Sequence, residues 1–292
     1  ERHGPDATAE WVHRIGRQVV PYRVDAAARA AYGTAFSTAW RDWRDSLRTH
    51  AHAVADSLRA AGLTEPEWLT SGSRIAAFPR YSRSGDTLAF SFADGRERPA
   101  IRLLLPSGEP RALAATALDP RASWLPDGDL LVAQLDLVDP YRVYSDAYRV
   151  GAAGGERRLT RGARVWDLDA HPRAPLAVGV GDAGGSNVLV RYDLTTGELR
   201  RLTAPTPDEA WSLPRWSPDG GRIAAARWRR GGFFDVVVLD SAGAVLRELT
   251  RDRAVDDAPA WSPDGRYVLF SSDRTGIANL YAYDLQGERL LQ

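Results

Sequence analysis

The residues able to do chemistry are few and badly spaced for it. The 292-residue chain has five histidines, His3, His13, His50, His52 and His171, and no cysteine. Disulfides and thiolate metal sites are therefore excluded. No His-Glu-x-x-His pair occurs, the spacing that turns two imidazoles toward one zinc from a single helix face. His50 and His52 stand two apart, so on a helix they project about 200° from each other and cannot share a metal. No Gly-x-Ser-x-Gly elbow is present to expose a serine nucleophile; Gly184-Gly185-Ser186-Asn187 reads as a strand-to-strand loop. A Gly-x-x-x-x-Gly-Lys phosphate loop is impossible, because the chain has no lysine. Asp208-Glu209 and Asp256-Asp257 supply carboxylates, but without the ligand spacing of a calcium loop. The sequence thus predicts no catalytic residue, no metal ligand and no cofactor in this chain. Whether a longer parent protein is an enzyme stays open.

Charge narrows the partners. All 38 basic residues are arginine, and 38 Asp and Glu balance them to a formal net charge of zero. A protein that grips nucleic acid through its phosphates carries a basic excess, so no nucleic-acid partner is expected. No apolar run approaches the roughly 20 residues that span a bilayer as a helix, so this segment is not expected to contact a membrane. The first residue is Glu1 and no methionine occurs, which reads as a mature form or an excerpt of a longer protein.

Two periods organise the chain. Residues 1–62 read as a helical segment. Asp6 is expected to cap a first helix carrying Trp11, Val12, Ile15 and Val19 on one face. A second helix is expected over Asp25 to Tyr32. In the third, Phe36, Trp40, Trp43, Leu47, Ala51, Val54 and Leu58 recur at steps of three and four and form one stripe. That stripe predicts a buried packing face, and Gly62 suits the helix C-terminus.

From Trp68 onward the pattern is β. Short apolar runs such as Leu88-Ala89-Phe90-Ser91-Phe92 and Val236-Val237-Val238-Leu239 alternate with Gly, Pro and Asp turns. Trp216-Ser217-Pro218-Asp219-Gly220 recurs as Trp261-Ser262-Pro263-Asp264-Gly265. Weaker copies begin at Trp124, Tyr81 and Ala170, so the steps along the chain are 43, 46, 46 and 45. A Leu-Thr pair at 69–70, 159–160, 202–203 and 249–250, with Leu113-Ala114 in the remaining slot, keeps the same period. About 45 residues is one four-stranded propeller blade. Proline presets the turn and glycine closes it, so each marker joins two antiparallel strands. The prediction is a mainly β fold: five four-stranded blades over residues 68–292, after a small α-helical segment. The last repeat finishes its outer strand as the sequence ends. This favours a ring with a gap between blades one and five, exposing their apolar faces, with the domain incomplete at its C-terminus.

These motifs resemble the TolB-type β-propellers, a WD-repeat-like group. The carriers are Pro259-Ala260-Trp261-Ser262-Pro263-Asp264-Gly265 and Ser272-Asp273-Arg274-Thr275-Gly276 followed by Leu280-Tyr281. Residues 32–48, with Tyr32-Gly33-Thr34-Ala35-Phe36, Trp40, Trp43 and Ser46-Leu47-Arg48, resemble the end of a peptidase MA-like metallopeptidase domain. Glu1-Arg2-His3-Gly4 resembles the close of a preceding helix in such a domain. The resemblance implies a non-catalytic interaction or scaffold module of a larger bacterial envelope protein, periplasmic or outer-membrane-associated, with a protein or peptide partner. The alternative it implies is the accessory propeller of a peptidase. The catalytic domain would then lie outside this chain, either a zinc domain upstream or a prolyl oligopeptidase-like hydrolase downstream.

Binding is expected on the axial face where loops enter the inner strands. There the sequence places Arg80, Arg164, Trp166, Asp167, Asp208, Glu209, Trp211, Asp256 and Asp257. Mixed charge with aromatics suits a protein or peptide.

Overall fold

The computed structural model describes residues 3–62, 67–117 and 121–291. It separates into two compact units, residues 1–69 and 70–292.

The first unit holds α1 (Gly4–Gly16), α2 (Val24–Tyr32) and α3 (Phe36–Ala61). Asp6 lies inside the first turn of α1 and does not cap it; His3 occupies the cap position. Val19 falls beyond the helix and is exposed. Gly62 follows α3 with φ 91°, the positive value expected there. Asp25 ties α2 to the start of α3 by accepting from the Ser37 backbone N–H at 2.9 Å and from its hydroxyl. The rings of Trp11 and Phe36 stack with centroids 6.1 Å apart. Within its own unit the α3 stripe is largely uncovered. Trp40 and Trp43 are each 54% exposed, and Phe36, Leu47 and Leu58 are exposed with them. The two tryptophans pack on each other, centroids 4.9 Å apart. Helical spacing aligns a stripe on one face, but only tertiary contacts cover it. Glu1 and Arg2 lie outside the described residues. Among the described residues, no helix is long and apolar enough to cross a membrane.

The second unit is five four-stranded antiparallel sheets, each built from four consecutive strands. Blade 1 is β1 (Ile75–Tyr81), β2 (Leu88–Ala93), β3 (Ala100–Leu104) and β4 (Pro110–Ala115). Blade 2 is β5 (Ala122–Trp124), β6 (Leu130–Asp139), β7 (Arg142–Val150) and β8 (Glu156–Arg158). Blade 3 is β9 (Val165–Ala170), β10 (Leu176–Asp182), β11 (Asn187–Asp193) and β12 (Leu199–Arg201). Blade 4 is β13 (Glu209–Trp216), β14 (Arg222–Arg229), β15 (Phe234–Asp240) and β16 (Val245–Glu248). Blade 5 is β17 (Asp256–Trp261), β18 (Tyr267–Ser272), β19 (Asn279–Asp284) and β20 (Arg289–Leu291). The first strands of successive blades, β1, β5, β9, β13 and β17, touch one another and form the inner wall. Tyr81, Trp124, Trp216 and Trp261 each end their inner strand, as the repeat predicts. No helix occurs among the described residues of this unit.

The two sequence markers have clear physical jobs. After Trp216, the Ser217 hydroxyl accepts from the Arg222 N–H at 2.9 Å while Asp219 accepts from Gly221 N–H at 3.0 Å. Gly220 supplies φ 77°. Ser262 and Asp264 repeat these contacts with Tyr267 and Arg266. In blades 2, 3 and 4 the threonine of the Leu-Thr pair prolongs the outer ladder by one side-chain bond. The hydroxyls of Thr160, Thr203 and Thr250 accept from the N–H groups of Ala147, Leu189 and Val236 at 2.9, 2.9 and 3.0 Å.

Four apolar clusters weld neighbouring blades. Ile101 and Leu103 meet Leu130 and Val132 between blades 1 and 2. Leu131 meets Val165 and Leu168 between blades 2 and 3. Val178 and Leu189 meet Trp211 and Ile223 between blades 3 and 4. Val236 and Val238 meet Val268 and Phe270 between blades 4 and 5. Among the described residues no comparable cluster joins blade 5 to blade 1. On blade 5 Leu280 is 75% exposed and Leu269 is exposed as well. Blade 1 departs from the expectation of an exposed face: Leu88, Phe90 and Phe92 are buried. Phe90 and Phe92 meet edge to face, and the Arg102 guanidinium lies 3.7 Å over the Phe92 ring.

Candidate functional site at the propeller axis

The inner strands share a local distortion. Phe78, Asp167, Leu213 and Ala258 all have φ between 51° and 56°. Each lies three residues before the last residue of its inner strand, and each falls where the pairing register slips. These are β-bulges, and they put non-glycine residues in the left-handed region, which is costly. A bulge turns the following residues relative to the sheet. The residues so re-aimed are Arg80, Asp169, Arg215 and Ala260, with Ser123 in the matching place of blade 2.

These five residues line a cavity of about 280 Å³ at the exit end of the inner strands. All five blades contribute. Tyr81, Trp124, Trp216 and Trp261 form an aromatic border, and the turn residues Arg83, Pro172, Ser217 and Pro218 complete the mouth. The Trp124 and Trp261 indole N–H groups donate to the carbonyls of Arg80 and Arg215 at 2.9 and 3.0 Å, tying each blade to the one before it. Arg83 donates across the mouth to the Pro172 carbonyl.

Asp169 is fully engaged. It accepts from the Ser123 hydroxyl at 3.1 Å and from the Trp216 N–H at 2.8 Å, so one carboxylate joins blades 2, 3 and 4. Asp167 pairs with Arg121 and accepts from the Leu213 N–H at 3.2 Å. Arg80 and Arg215 have no carboxylate within ion-pair distance among the described residues. Each guanidinium donates only to the carbonyl of the proline before it, Pro79 at 3.2 Å and Pro214 at 2.8 Å. Arg215 is 7% exposed, and its Nε is buried without a hydrogen-bond partner. Burial, reinforced by the charge of Arg215, pushes Arg80 down to about 10. Burial likewise lowers Arg215, against the opposing charges of Asp169 and Asp257.

Of the nine residues expected from sequence, only Arg80 lines this cavity. The others lie at the entry ends or in mid-strand. Arg164 is exposed, bonded to Asp182 and the Tyr144 hydroxyl at 2.6 Å each. Trp166 packs on the core between blades 3 and 4, and Trp211 is buried in it. Asp208 pairs with Arg230 at 2.6 Å, and Glu209 stands 3.8 Å from Arg227. Asp256 is buried under Arg274, with both carboxylate oxygens at 3.0 Å. Asp257 accepts from the Ala258 N–H at 2.7 Å. Arg215, which also lines the cavity, was not among the nine. Its signal was present: Phe78-Pro79-Arg80-Tyr81 and Leu213-Pro214-Arg215-Trp216 repeat the Pro-Arg-aromatic order in blades 1 and 4. No group of three or more His, Asp or Glu residues is placed to hold a metal among the described residues.

The TolB beta propeller domain family matches residues 182–291, the stretch that spans blades 4 and 5 and closes blade 3. The propeller is TolB-like. A Tol-Pal system protein TolB from Anaeromyxobacter dehalogenans strain 2CP-1 is 44% identical over 213 residues, covering 64% of this chain and 48% of that protein. The corresponding protein of Anaeromyxobacter sp. strain K is 43% identical over the same share. The chain thus spans about half the length of the curated relatives it matches. The solved TolB of Acinetobacter baumannii superposes with a TM-score of 0.66 at 21% identity, over 77% of this chain and 56% of that one. A TolB homologue structure from Agrobacterium tumefaciens gives 0.60 at 19% identity, over 74% and 79%. At these identities the two structures bear on the fold alone. The TolB-like family match does not reach the helical segment, whose likeness to a peptidase domain stays an expectation from its sequence.

Proposed function

We propose that this TolB-like propeller is a non-catalytic protein-interaction module working in the bacterial cell envelope, and that its partner seats on the axial cavity. The observation that carries the reading is the cavity itself. Every inner strand contributes to it, and its border is Tyr, Trp and Arg, the residue types that concentrate binding energy at protein interfaces. Its likeness to Tol-Pal system TolB proteins supports the envelope setting. The residues around it serve structure: serine and aspartate hold turns, and Asp167 and Asp169 hold blades together. The Ser123 hydroxyl donates to Asp169 and the Ser217 hydroxyl to Asp219, contacts that hold blade to blade and close the turn.

The test is site-specific photo-crosslinking in the native cell. A photoreactive phenylalanine derivative replaces Tyr81, which is 62% exposed at the cavity. A control replaces exposed Arg157 on the outer strand β8. A discrete protein adduct from position 81 that is missing from position 157 is expected. Identical products from both positions, or none from position 81, would overturn the reading.

A further inference from the structure

We propose that the cavity is a carboxylate-binding site in which Arg80 and Arg215 grip acidic side chains of a peptide segment of the partner. The inference rests on the interaction-module reading and adds the chemistry of recognition.

The cavity lining holds three guanidiniums, Arg80, Arg83 and Arg215, against one carboxylate, Asp169. Asp169 is already occupied by Ser123 and Trp216. Arg83 is exposed in its turn and donates to the Pro172 carbonyl. Arg80 and Arg215 are set deeper, and each keeps N–H groups beyond its one bond to the carbonyl of Pro79 or Pro214. Arg215 is more than nine-tenths buried, lines the cavity and keeps an unpartnered Nε. A buried charge without a partner is costly, and native proteins normally pair it. The planar fork of arginine matches a carboxylate with two parallel hydrogen bonds. Blade 5 contributes only Ala260 at the matching place, which leaves room beside the two arginines. Burial lowers the basicity of both arginines more than Asp169 (and, for Arg215, Asp257) restores it, so a further carboxylate placed beside them would add to that partial compensation.

The probe is a fluorescent tetraglutamate peptide with both termini blocked, titrated into the 292-residue chain and read by anisotropy. The control is its tetraglutamine counterpart. Saturable binding of the glutamate peptide is expected, at least tenfold tighter than the glutamine peptide and weakened by salt. Arg80→Gln and Arg215→Gln should each weaken it at least tenfold. Arg80 keeps part of its surface in solvent where Arg215 does not, so Arg80→Gln is expected to melt as the unaltered chain does and carries the test even if Arg215→Gln does not fold. Equal binding of the two peptides, no binding of either, or an unchanged affinity in Arg80→Gln would overturn the proposal. The crosslink from position 81 reads the interaction itself. A partner still captured equally by Arg80→Gln would sink the carboxylate claim and leave the module reading standing.

Discussion

His171 shows how one side chain replaces a motif. Blade 3 lacks the Ser-Pro-Asp-Gly turn, and its Ala170-His171-Pro172-Arg173-Ala174 keeps only the proline. The Nδ1 atom of His171 accepts from the N–H groups of Arg173 and Ala174 at 3.0 and 2.9 Å, the work done elsewhere by serine and aspartate. That fixes the tautomer: Nε2 carries the proton and faces the Gly220 carbonyl at 3.3 Å. The ring also stands edge-on to Trp216, centroids 4.8 Å apart. Protonating Nδ1 would destroy the acceptor. Burial holds the His171 pKa below its ordinary 6.5, with the charges of Arg173 and Arg83 acting the same way and the Gly220 bond opposing. The unfolded chain therefore takes up this proton more readily than the folded one. The contribution is present in full above about pH 6.5 and is lost as the pH falls toward the folded-state value. Urea denaturation at pH 7.5 and 5.5 should show a loss of stability at the lower pH that is smaller in His171→Ala. At pH 7.5 that variant should itself be about 1–2 kcal/mol less stable, from two backbone donors left without a partner.

At the scale of elements, the bulge is the device that separates this inner wall from a plain strand. It predicts an asymmetry at Ala258, an exposed residue held at φ 55°. Ala258→Gly should be neutral or stabilising by up to about 1 kcal/mol, because glycine adopts that backbone without strain. Ala258→Val should be destabilising by a similar amount or more, since a branched side chain resists it. Equal effects of the two changes in denaturant titrations would contradict the bulge. The same device explains what the sequence disclosed. Blade number, turn positions and the aromatics ending each inner strand were legible because glycine, proline and tryptophan keep a fixed period. The cavity was harder to see. A positive φ at Phe78 or Leu213 leaves no compositional mark, and it decides which way Arg80 and Arg215 point. Reasoning from loops therefore favoured the entry ends of the strands, where Asp208 and Asp256 turned out to serve local ion pairs. The α3 stripe was legible as a face, while what covers a face is a property of the assembly.

At the scale of the molecule, the four apolar clusters among the described residues weld blade 5 to blade 4 and none of them joins it to blade 1. Leu269 and Leu280 face outward from it, while Val268 and Phe270 face blade 4. The exposed pair predicts concentration-dependent self-association in sedimentation velocity, and Leu280→Thr should reduce it while leaving stability within about 0.5 kcal/mol. Phe270→Ala should cost about 3–5 kcal/mol. A large loss of stability from Leu280→Thr would show that this face is covered in solution. The one-sided attachment also sets an order of opening. Stacked repeats gain stability from each neighbour, so a terminal unit can fray while the interior stays intact. Amide hydrogens of β18 and β19 should exchange with deuterium well before those of β10 and β14, whose blades are gripped on both faces. Protection would then rise from blade 5 inward through blade 4, a gradient along the chain in place of a single cooperative release.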